Sequence, residues 1–376
     1  MISRAYKFRI YPNKTQAELI EETFRACRYV WNIALECKKV EWDDRGKNVS
    51  AYELMKLLTG VKSVCTWLYD VPNSAMQQSI RDLDVAFKNF FRRVKNGEKP
   101  GYPKFKKAGC SFQSYRTPAA GNAVRVIDDR HVKLPKLGKV KCRITQTPQG
   151  HLLSATVSRT PSGKYFCSIT CENVPEPYME DGTLDVMGVR LGVRDLITCS
   201  DGVRVENPRA LSKSERKLRR EQRRLSRKKR GSANYRKQKQ KVALVHERVA
   251  NQRRDNIHKA TTRIVRDSKA IAVSSNDVAG MMRSKKFSKA VADASMSEVK
   301  RQLAYKAQWY GRDLVEVDAS TAFGSTCGRC GAQAELKVGT TRWTCPKCGA
   351  HHDYALNAAR NIAAIGMAEI RRGGRP

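Results

Sequence analysis

The sequence predicts an α/β multidomain protein, and three observations carry that prediction. Strand-like and helix-like segments alternate from Leu184 onward. That alternation is interrupted twice, by a densely basic helical stretch and by a pair of Cys-x-x-Cys knuckles. Ahead of it, a linker-like run at 173–182, with Val174-Pro-Glu-Pro and three acidic residues, closes a first half in which helices are flanked by strands.

The elements follow in chain order. Residues 4–12, Arg-Ala-Tyr-Lys-Phe-Arg-Ile-Tyr-Pro, alternate as a strand and stop at a proline, after which Asn13 and Thr15 offer helix caps. From Gln16 to about Lys39, Leu19, Ile20, Phe24, Cys27, Val30, Trp31 and Ala34 recur at helical spacing. Met76, Ile80, Leu83, Phe87 and Phe90 do the same after Pro72. Pro100, Gly101 and Pro103 break the pattern, and short apolar runs between 111 and 172 indicate a small sheet or barrel. In the second half, the run from Leu184 and the strand at Ile197, ending in Asp201-Gly202, form a β-hairpin. Two basic helices at 213–230 and 234–266 follow, divided by Gly231-Ser-Ala. Then come a strand at Ile271, a helix at Ser297–Tyr310, a strand at Leu314 and a last helix from Asp353.

Composition narrows the function. In 376 residues, 73 Lys and Arg face 36 Asp and Glu, so the formal charge is +37 and a polyanionic partner is expected. No apolar span or amphipathic anchor points to a membrane. The N-terminus lacks the apolar core of a signal peptide, so a reducing cytoplasm is expected, and the 12 cysteines are not read as a disulfide framework. Cys27, Cys37, Cys65, Cys110, Cys142, Cys167, Cys171 and Cys199 lie in apolar stretches and read as buried thiols.

The other four differ. Cys327-Gly-Arg-Cys330 and Cys345-Pro-Lys-Cys348 stand 14 residues apart, each knuckle followed by glycine, a spacing that gives four thiolates a tetrahedral pocket for structural Zn²⁺. Four sulfurs leave no open coordination position, so the metal serves folding, and His351 and His352 are assigned to the surface or to phosphate contact. In the basic hairpin, 11 of the 18 residues from 213 to 230 are Lys or Arg and 2 are Glu. Such a face repels itself without a counter-charge and suits a phosphate backbone, with Arg219, Arg220, Arg223, Arg224, Arg227, Lys228 and Lys229 as the contact group. Tyr235 is the single aromatic residue between 213 and 266, which favours a duplex read by its backbone over base stacking.

Tyr6-Lys-Phe-Arg-Ile-Tyr-Pro-Asn-Lys-Thr-Gln, Cys27-Arg-Tyr-Val-Trp-Asn, Val71-Pro-Asn-Ser-Ala-Met-Gln-Gln, Gly101-Tyr-Pro-Lys-Phe-Lys, His246-Glu-Arg-Val-Ala-Asn-Gln-Arg-Arg-Asp and Asn357-Ala-Ala-Arg-Asn-Ile resemble the TnpB family of insertion-sequence proteins over nearly the whole chain. The resemblance implies an RNase H-like (RuvC-type) core at 181–376, with the basic helical insertion at about 209–266 and the zinc ribbon at about 322–352. It also implies a β wedge domain at 1–12 and 111–180 and a helical recognition domain at 13–110. The implied partners are a guide RNA and a double-stranded DNA target beside a short adjacent motif, in a monomeric ribonucleoprotein at the prokaryotic nucleoid. Gln77, Gln78 and Lys88 become candidates for reading that motif.

A RuvC-type centre needs carboxylates to hold two Mg²⁺ ions ~3.5–4 Å apart. The family's Gly-Ile-Asp-Leu-Gly is matched by Gly188-Val-Arg-Leu-Gly192, which puts Arg190 in place of the Asp. Ser274 replaces the Glu after the next strand, and Ala355 replaces the last Asp. Asp185 and Asp195 each lie five residues from Arg190, an odd offset that in an extended strand points ~17 Å away and to the other face. Asp277 falls in a loop, and Asp353 reads as a helix cap. The expectations are therefore no enzyme, no catalytic Mg²⁺, an Arg190 that pairs with a phosphate or a neighbouring acid, and a resemblance to the nuclease-dead TldR group that represses transcription by excluding RNA polymerase. A residually active endonuclease and a transposition accessory protein are the alternatives.

Overall fold

Alternation in the opening residues becomes strand β1 (Ile2–Tyr11), which buries Tyr6, Phe8 and Ile10 on one face. Pro12 ends it, and Asn13 and Gln16 form a reciprocal capping box that starts α1 (Lys14–Arg45): the Gln16 N–H donates to Asn13 Oδ1 at 2.8 Å, and the Asn13 N–H to Gln16 Oε1 at 3.1 Å. The helix runs past the expected Lys39 to Gly46, whose φ of 61° closes it. The computed structural model describes residues 2–108, 113–176, 182–275, 278–283, 288–318, 323–337 and 339–372. It divides into two units, Met1–Pro175 and Glu176–Pro376. Cys110 and Asp277 lie outside the described residues.

In the first unit α1 is followed by α2 (Ala51–Val64) and α3 (Asn73–Lys95), then by β2 (Gln113–Pro118), β3 (Arg125–Asp128), β4 (His131–Leu134), β5 (Gly138–Arg143), β6 (His151–Arg159) and β7 (Tyr165–Val174). The seven strands form one antiparallel sheet in the order β2-β6-β7-β1-β5-β4-β3, so the first strand of the chain sits between β7 and β5. Ile20, Phe24 and Cys27 of α1 pack on Tyr6, Phe8, Val157 and Ile169 of the sheet. A second core of Trp31, Leu35, Leu54, Leu68, Met76, Ile80 and Leu83 binds the helices together. Burial pushes the thiols of Cys27 and Cys142 up to about 11 and that of Cys167 up to about 12, which makes them inert packing groups.

The second unit comprises β8 (Leu184–Leu191), β9 (Asp195–Cys199), β10 (Arg204–Glu206), α4 (Ala210–Ser226), α5 (Ala233–Asp267), β11 (Ser268–Ser275), α6 (Val278–Arg283), α7 (Ser288–Ala294), α8 (Met296–Trp309), β12 (Asp313–Asp318), β13 (Arg342–Thr344), β14 (His351–Asp353) and α9 (Tyr354–Arg372). Its main sheet runs β10-β9-β8-β11-β12, antiparallel across the first three strands and parallel across β8, β11 and β12. Ile257, Ile264, Val265, Val299 and Leu303 from α5 and α8 cover one face. Helix α9 covers the other at close range. A methyl group on Gly188 would lie 2.0 Å from the Ala359 carbonyl oxygen, and one on Gly366 would lie 2.3 Å from Ala272 Cβ. Bare backbone at both positions lets α9 lie flat on β8 and β11, with its N-terminus at the carboxyl end of β8.

Candidate nucleic-acid interface and the site at the sheet end

Parallel pairing matches Val189 with Val273, so the next residues, Arg190 and Ser274, stand side by side at the carboxyl ends of neighbouring strands. Ser274 also faces Val317, and Ser275 faces Asp318, in β12. The packing of α9 adds Ala355 to the same end, one residue after Tyr354, whose ring centroid is 5.4 Å from the Arg190 guanidinium carbon. No carboxylate stands at 190, 274 or 355.

Carboxylates do gather nearby, and here the extended-strand argument for Asp195 fails. The chain turns back through 192–194, so Asp195 opens β9 on the adjacent strand and falls within electrostatic reach of Arg190. Asp185 behaves as expected: it is exposed and takes Lys269 at 3.0 Å. Asp353 accepts from the N–H groups of Ala355 and Leu356, each at 3.0 Å, which caps α9. Arg204 holds both acids, with Nη2 donating to Asp353 Oδ1 at 2.7 Å and Nη1 lying 3.7 Å from Asp195 Oδ2. Burial would raise the Asp353 pKa, but Arg204 and the two N–H groups outweigh it and hold the carboxyl below the usual aspartate range. Burial lowers the Arg190 pKa against the opposing pull of Tyr354, Asp195 and Asp353.

The cysteine knuckles converge. Sulfurs of Cys327, Cys330, Cys345 and Cys348 all lie within 4.8 Å of one another, so they could hold one zinc ion. The glycine after each knuckle has its reason in the backbone: Gly331 at φ 73° and Gly349 at φ 69° donate back to the Cys327 and Cys345 carbonyls. N–H groups of Cys348 and Lys347 aim at the Cys345 sulfur and bring its thiol down to about 6, which favours the thiolate that a metal needs. His352, expected at the surface, instead places Nε2 3.1 Å from Cys327 Sγ and packs its ring 4.6 Å from Trp343. His351 is exposed and shares a 2.8 Å hydrogen bond with Thr344.

Two residues that sequence reasoning quoted without a role tie this ribbon to the core. Asn357 is buried on α9, where its Nδ2 donates to the Thr326 carbonyl at 2.7 Å and its Oδ1 accepts from the Gly328 N–H at 3.1 Å. One turn on, Asn361 Nδ2 donates to the Phe323 and Thr326 carbonyls, both at 2.8 Å. Their i, i+4 spacing in Asn357-Ala-Ala-Arg-Asn361 was the available signal.

Helices α4 and α5 form the expected antiparallel basic pair. Arg216, Arg219, Arg220, Arg223, Arg224 and Arg227 line one continuous surface of α4. Its two glutamates neutralise a minority of that charge. Glu215 takes Arg219 at 3.1 Å and Lys289 at 2.6 Å. Glu221 is buried against α5, where it accepts from Gln238 at 2.8 Å and pairs with Arg220 and Arg224 at 3.4 and 3.3 Å. No carboxylate among the described residues meets Arg216, Arg223, Arg227, Lys228 or Lys229. A cleft of about 900 Å³ between the two helices adds Lys213, Lys217, Lys241 and Arg248.

In the first unit the candidates on α3 are placed unequally. Lys88 is exposed and pairs with Asp84 at 3.1 Å, whereas Gln77 and Gln78 are half-buried and Gln78 donates to Asp82 at 2.9 Å. An exposed aromatic patch of Phe91, Tyr102 and Phe105 was not anticipated. Lys39 lies over the Tyr102 and Phe105 rings, and its signal was the interleaving of aromatic and basic residues in Gly101-Tyr-Pro-Lys-Phe-Lys.

Family comparison matches a "Probable transposase" profile of the OrfB/IS605 kind over residues 168–285 and the corresponding helix-turn-helix profile over 1–47. In this chain the latter span folds as a sheet strand and a single long helix. A Cas12f1-like TNB domain profile matches 297–362. A "Putative RNA-guided DNA endonuclease" of Streptomyces pristinaespiralis is 34% identical over 373 residues, covering 98% of this chain and 90% of that protein. A "Putative RNA-guided DNA endonuclease InsQ" of Escherichia coli K12 is 31% identical over 397 residues, covering 99% and 96%. Among solved structures, a mini-RNA-guided endonuclease, CRISPR-Cas_phi3, aligns with 100% of this chain and 93% of its own at 8% identity and a TM-score of 0.49. These relatives correct the expectation that the chain is no enzyme: proteins similar to it along almost its whole length are named endonucleases, so its relatives form an enzyme class. The residues at 190, 274 and 355 describe local geometry and do not set that class. No helix among the described residues is long and apolar enough to cross a membrane.

Proposed function

Because the chain belongs to the OrfB/IS605 family, whose members similar to it over nearly its full length are named RNA-guided DNA endonucleases, we propose that it carries a guide RNA and engages a double-stranded DNA target complementary to that guide. The observation that carries the reading is the basic surface of α4 and the turn after it, where Arg216, Arg223, Arg227, Lys228 and Lys229 meet no carboxylate among the described residues and call for a polyanion. The guide supplies sequence by base pairing, and the protein supplies backbone contacts, with Gln77, Gln78 and Lys88 on α3 as readers of the short adjacent motif. A zinc ion at Cys327, Cys330, Cys345 and Cys348 would serve folding, and the five-stranded mixed sheet supports an RNase H-like assignment for the second unit. The working particle is one chain with its RNA at the bacterial nucleoid, and occupancy of a promoter would exclude RNA polymerase.

Strand cleavage by this chain would draw on the carboxylates at the sheet end, Asp195, Asp318 and Asp353, two of which Arg204 holds. The test is to sequence RNA that co-purifies with the protein, build the matching duplex, and measure binding and cleavage with Mg²⁺ or Mn²⁺. Binding that follows the guide sequence supports the proposal, and equal affinity for matched and scrambled duplexes overturns it. Cleavage that disappears in Asp195→Asn or Asp353→Asn would assign those acids to the metal.

A further inference from the structure

Arg190 is a half-buried guanidinium that the protein leaves without a hydrogen bond or ion pair among the described residues; its recorded contact is the Tyr354 ring. Asp195 and Asp353, the two acids that act electrostatically on Arg190, are held by Arg204. Space for the guanidinium is built in, because a methyl on Gly192 would lie 2.9 Å from Arg190 Nη1. Across the strands, Arg190 faces Thr198, and Thr198 faces Arg204, so one row carries two guanidinium groups flanking a hydroxyl. The Thr198 Oγ1 is fully buried and has no hydrogen-bond partner among the described residues.

Position gives this row its meaning. Chain order runs outward from β8 through β9 and β10 on one side, while β11 and β12 lie on the other, so between the parallel strands β8 and β11 the order in which strands are added reverses. Ligands of open α/β sheets bind in the crevice at the carboxyl ends of the strands at such a switch point. Arg190 is the penultimate residue of β8, at that end.

We infer that Arg190 is a phosphodiester ligand, binding one backbone phosphate of a nucleic-acid strand at the switch point between β8 and β11. A planar guanidinium offers two parallel N–H donors to a phosphate, its charge is unaffected by pH, and the Tyr354 ring orients it. Arg204 offsets one of the two carboxylates and Arg190 balances the other, while the Arg190 N–H donors, engaged by no described residue, remain for an incoming anion. This inference rests on the RNA-guided reading for the identity of the strand, namely DNA of the target.

The experiment uses the full chain with its co-purified RNA and compares wild type, Arg190→Gln and Arg190→Lys on the guide-matched duplex across a salt series. Arg190→Gln is expected to weaken target binding ~10-fold and to reduce the salt slope by about one, with the amount of bound RNA unchanged. Arg190→Lys is expected to keep the slope while recovering part of the affinity, because charge returns without the planar fork. A walk of neutral methylphosphonate linkages along each target strand should find one position at which wild type and Arg190→Gln bind equally. Unchanged affinity and slope in Arg190→Gln, or a penalty that no single methylphosphonate removes, overturns the inference. Failure of wild type to discriminate the matched duplex would instead overturn the RNA-guided reading.

Discussion

Arg204 on β10 donates to Asp353 at 2.7 Å, so the edge strand of the sheet is tied to the residue that caps α9. The same arginine also reaches Asp195 at 3.7 Å, and the sheet end therefore closes on an ionic cluster.

That pair sets a pH dependence whose sign follows from Asp353. Its folded pKa is depressed, so its stabilising contribution is complete above the ordinary aspartate value near ~4 and is lost as pH falls through the lower folded value. Arg204→Gln should cost ~1 kcal/mol at pH 7 and make the acid limb shallower. Urea denaturation of both proteins at pH 7, 5 and 3 checks this. A constant difference between them across the series would show that the pair does not titrate with folding.

Asn357 should be the costliest polar residue of α9. Removing its amide takes the partner from the Gly324 carbonyl and the Gly328 N–H in a buried site and leaves the Thr326 carbonyl to Asn361 alone, so Asn357→Ala is expected to lose ~2–3 kcal/mol. Asn361→Ala should cost less, because Asn357 still serves the Thr326 carbonyl. Chemical denaturation of the two single variants and the double variant measures the coupling, and strict additivity would contradict a shared anchor.

Zinc content gives a third check. One equivalent per chain is expected by elemental analysis, and Cys345→Ser or Cys330→Ser should abolish it. Strong chelation should lower the melting temperature of the wild type and leave the serine variants unmoved, since a structural zinc site contributes several kcal/mol of folding energy, and ~10 or more in small domains. A melting temperature indifferent to chelation would assign the cysteines to packing.

What the sequence made legible depended on how local the signal was. Tyr6, Phe8 and Ile10 announce a strand, and Leu19, Ile20, Phe24 and Cys27 a helix, because each pattern is complete within a few residues. The convergence of the cysteine knuckles was legible for the same reason, and the glycine that follows each proves to sit at positive φ. Asp195 was misplaced because its position depends on the turn at 192–194, which periodicity does not register. Arg204 was missed because its partner Asp353 stands 149 positions away, and no local pattern links them. His352 was sent to the surface on ligand counting alone, whereas packing on Trp343 brings it to the cluster. The chemical class went astray for a related reason: three side chains were read as deciding it, while along nearly 376 residues the chain is similar to proteins that are named endonucleases.

The basic hairpin permits a prediction that separates charge from architecture. Arg216, Arg223 and Arg227 meet no carboxylate among the described residues, whereas Arg220 and Arg224 share Glu221, which also takes Gln238 across the helix pair. Reversing the first three together, to Glu, should leave the fold intact and reduce the RNA that co-purifies by ~10-fold or more at physiological salt, with the slope of log affinity against log salt falling by about three. Glu221→Gln should act differently. It leaves every arginine in place while weakening the contact between α4 and α5, so thermal stability should fall and the salt slope of RNA binding should hold. Both outcomes can be read from one salt titration and one melting curve per variant. Equal slopes in the triple variant and the wild type would mean that the α4 face is merely solvated, and the charge of this chain would then need another site for its polyanion.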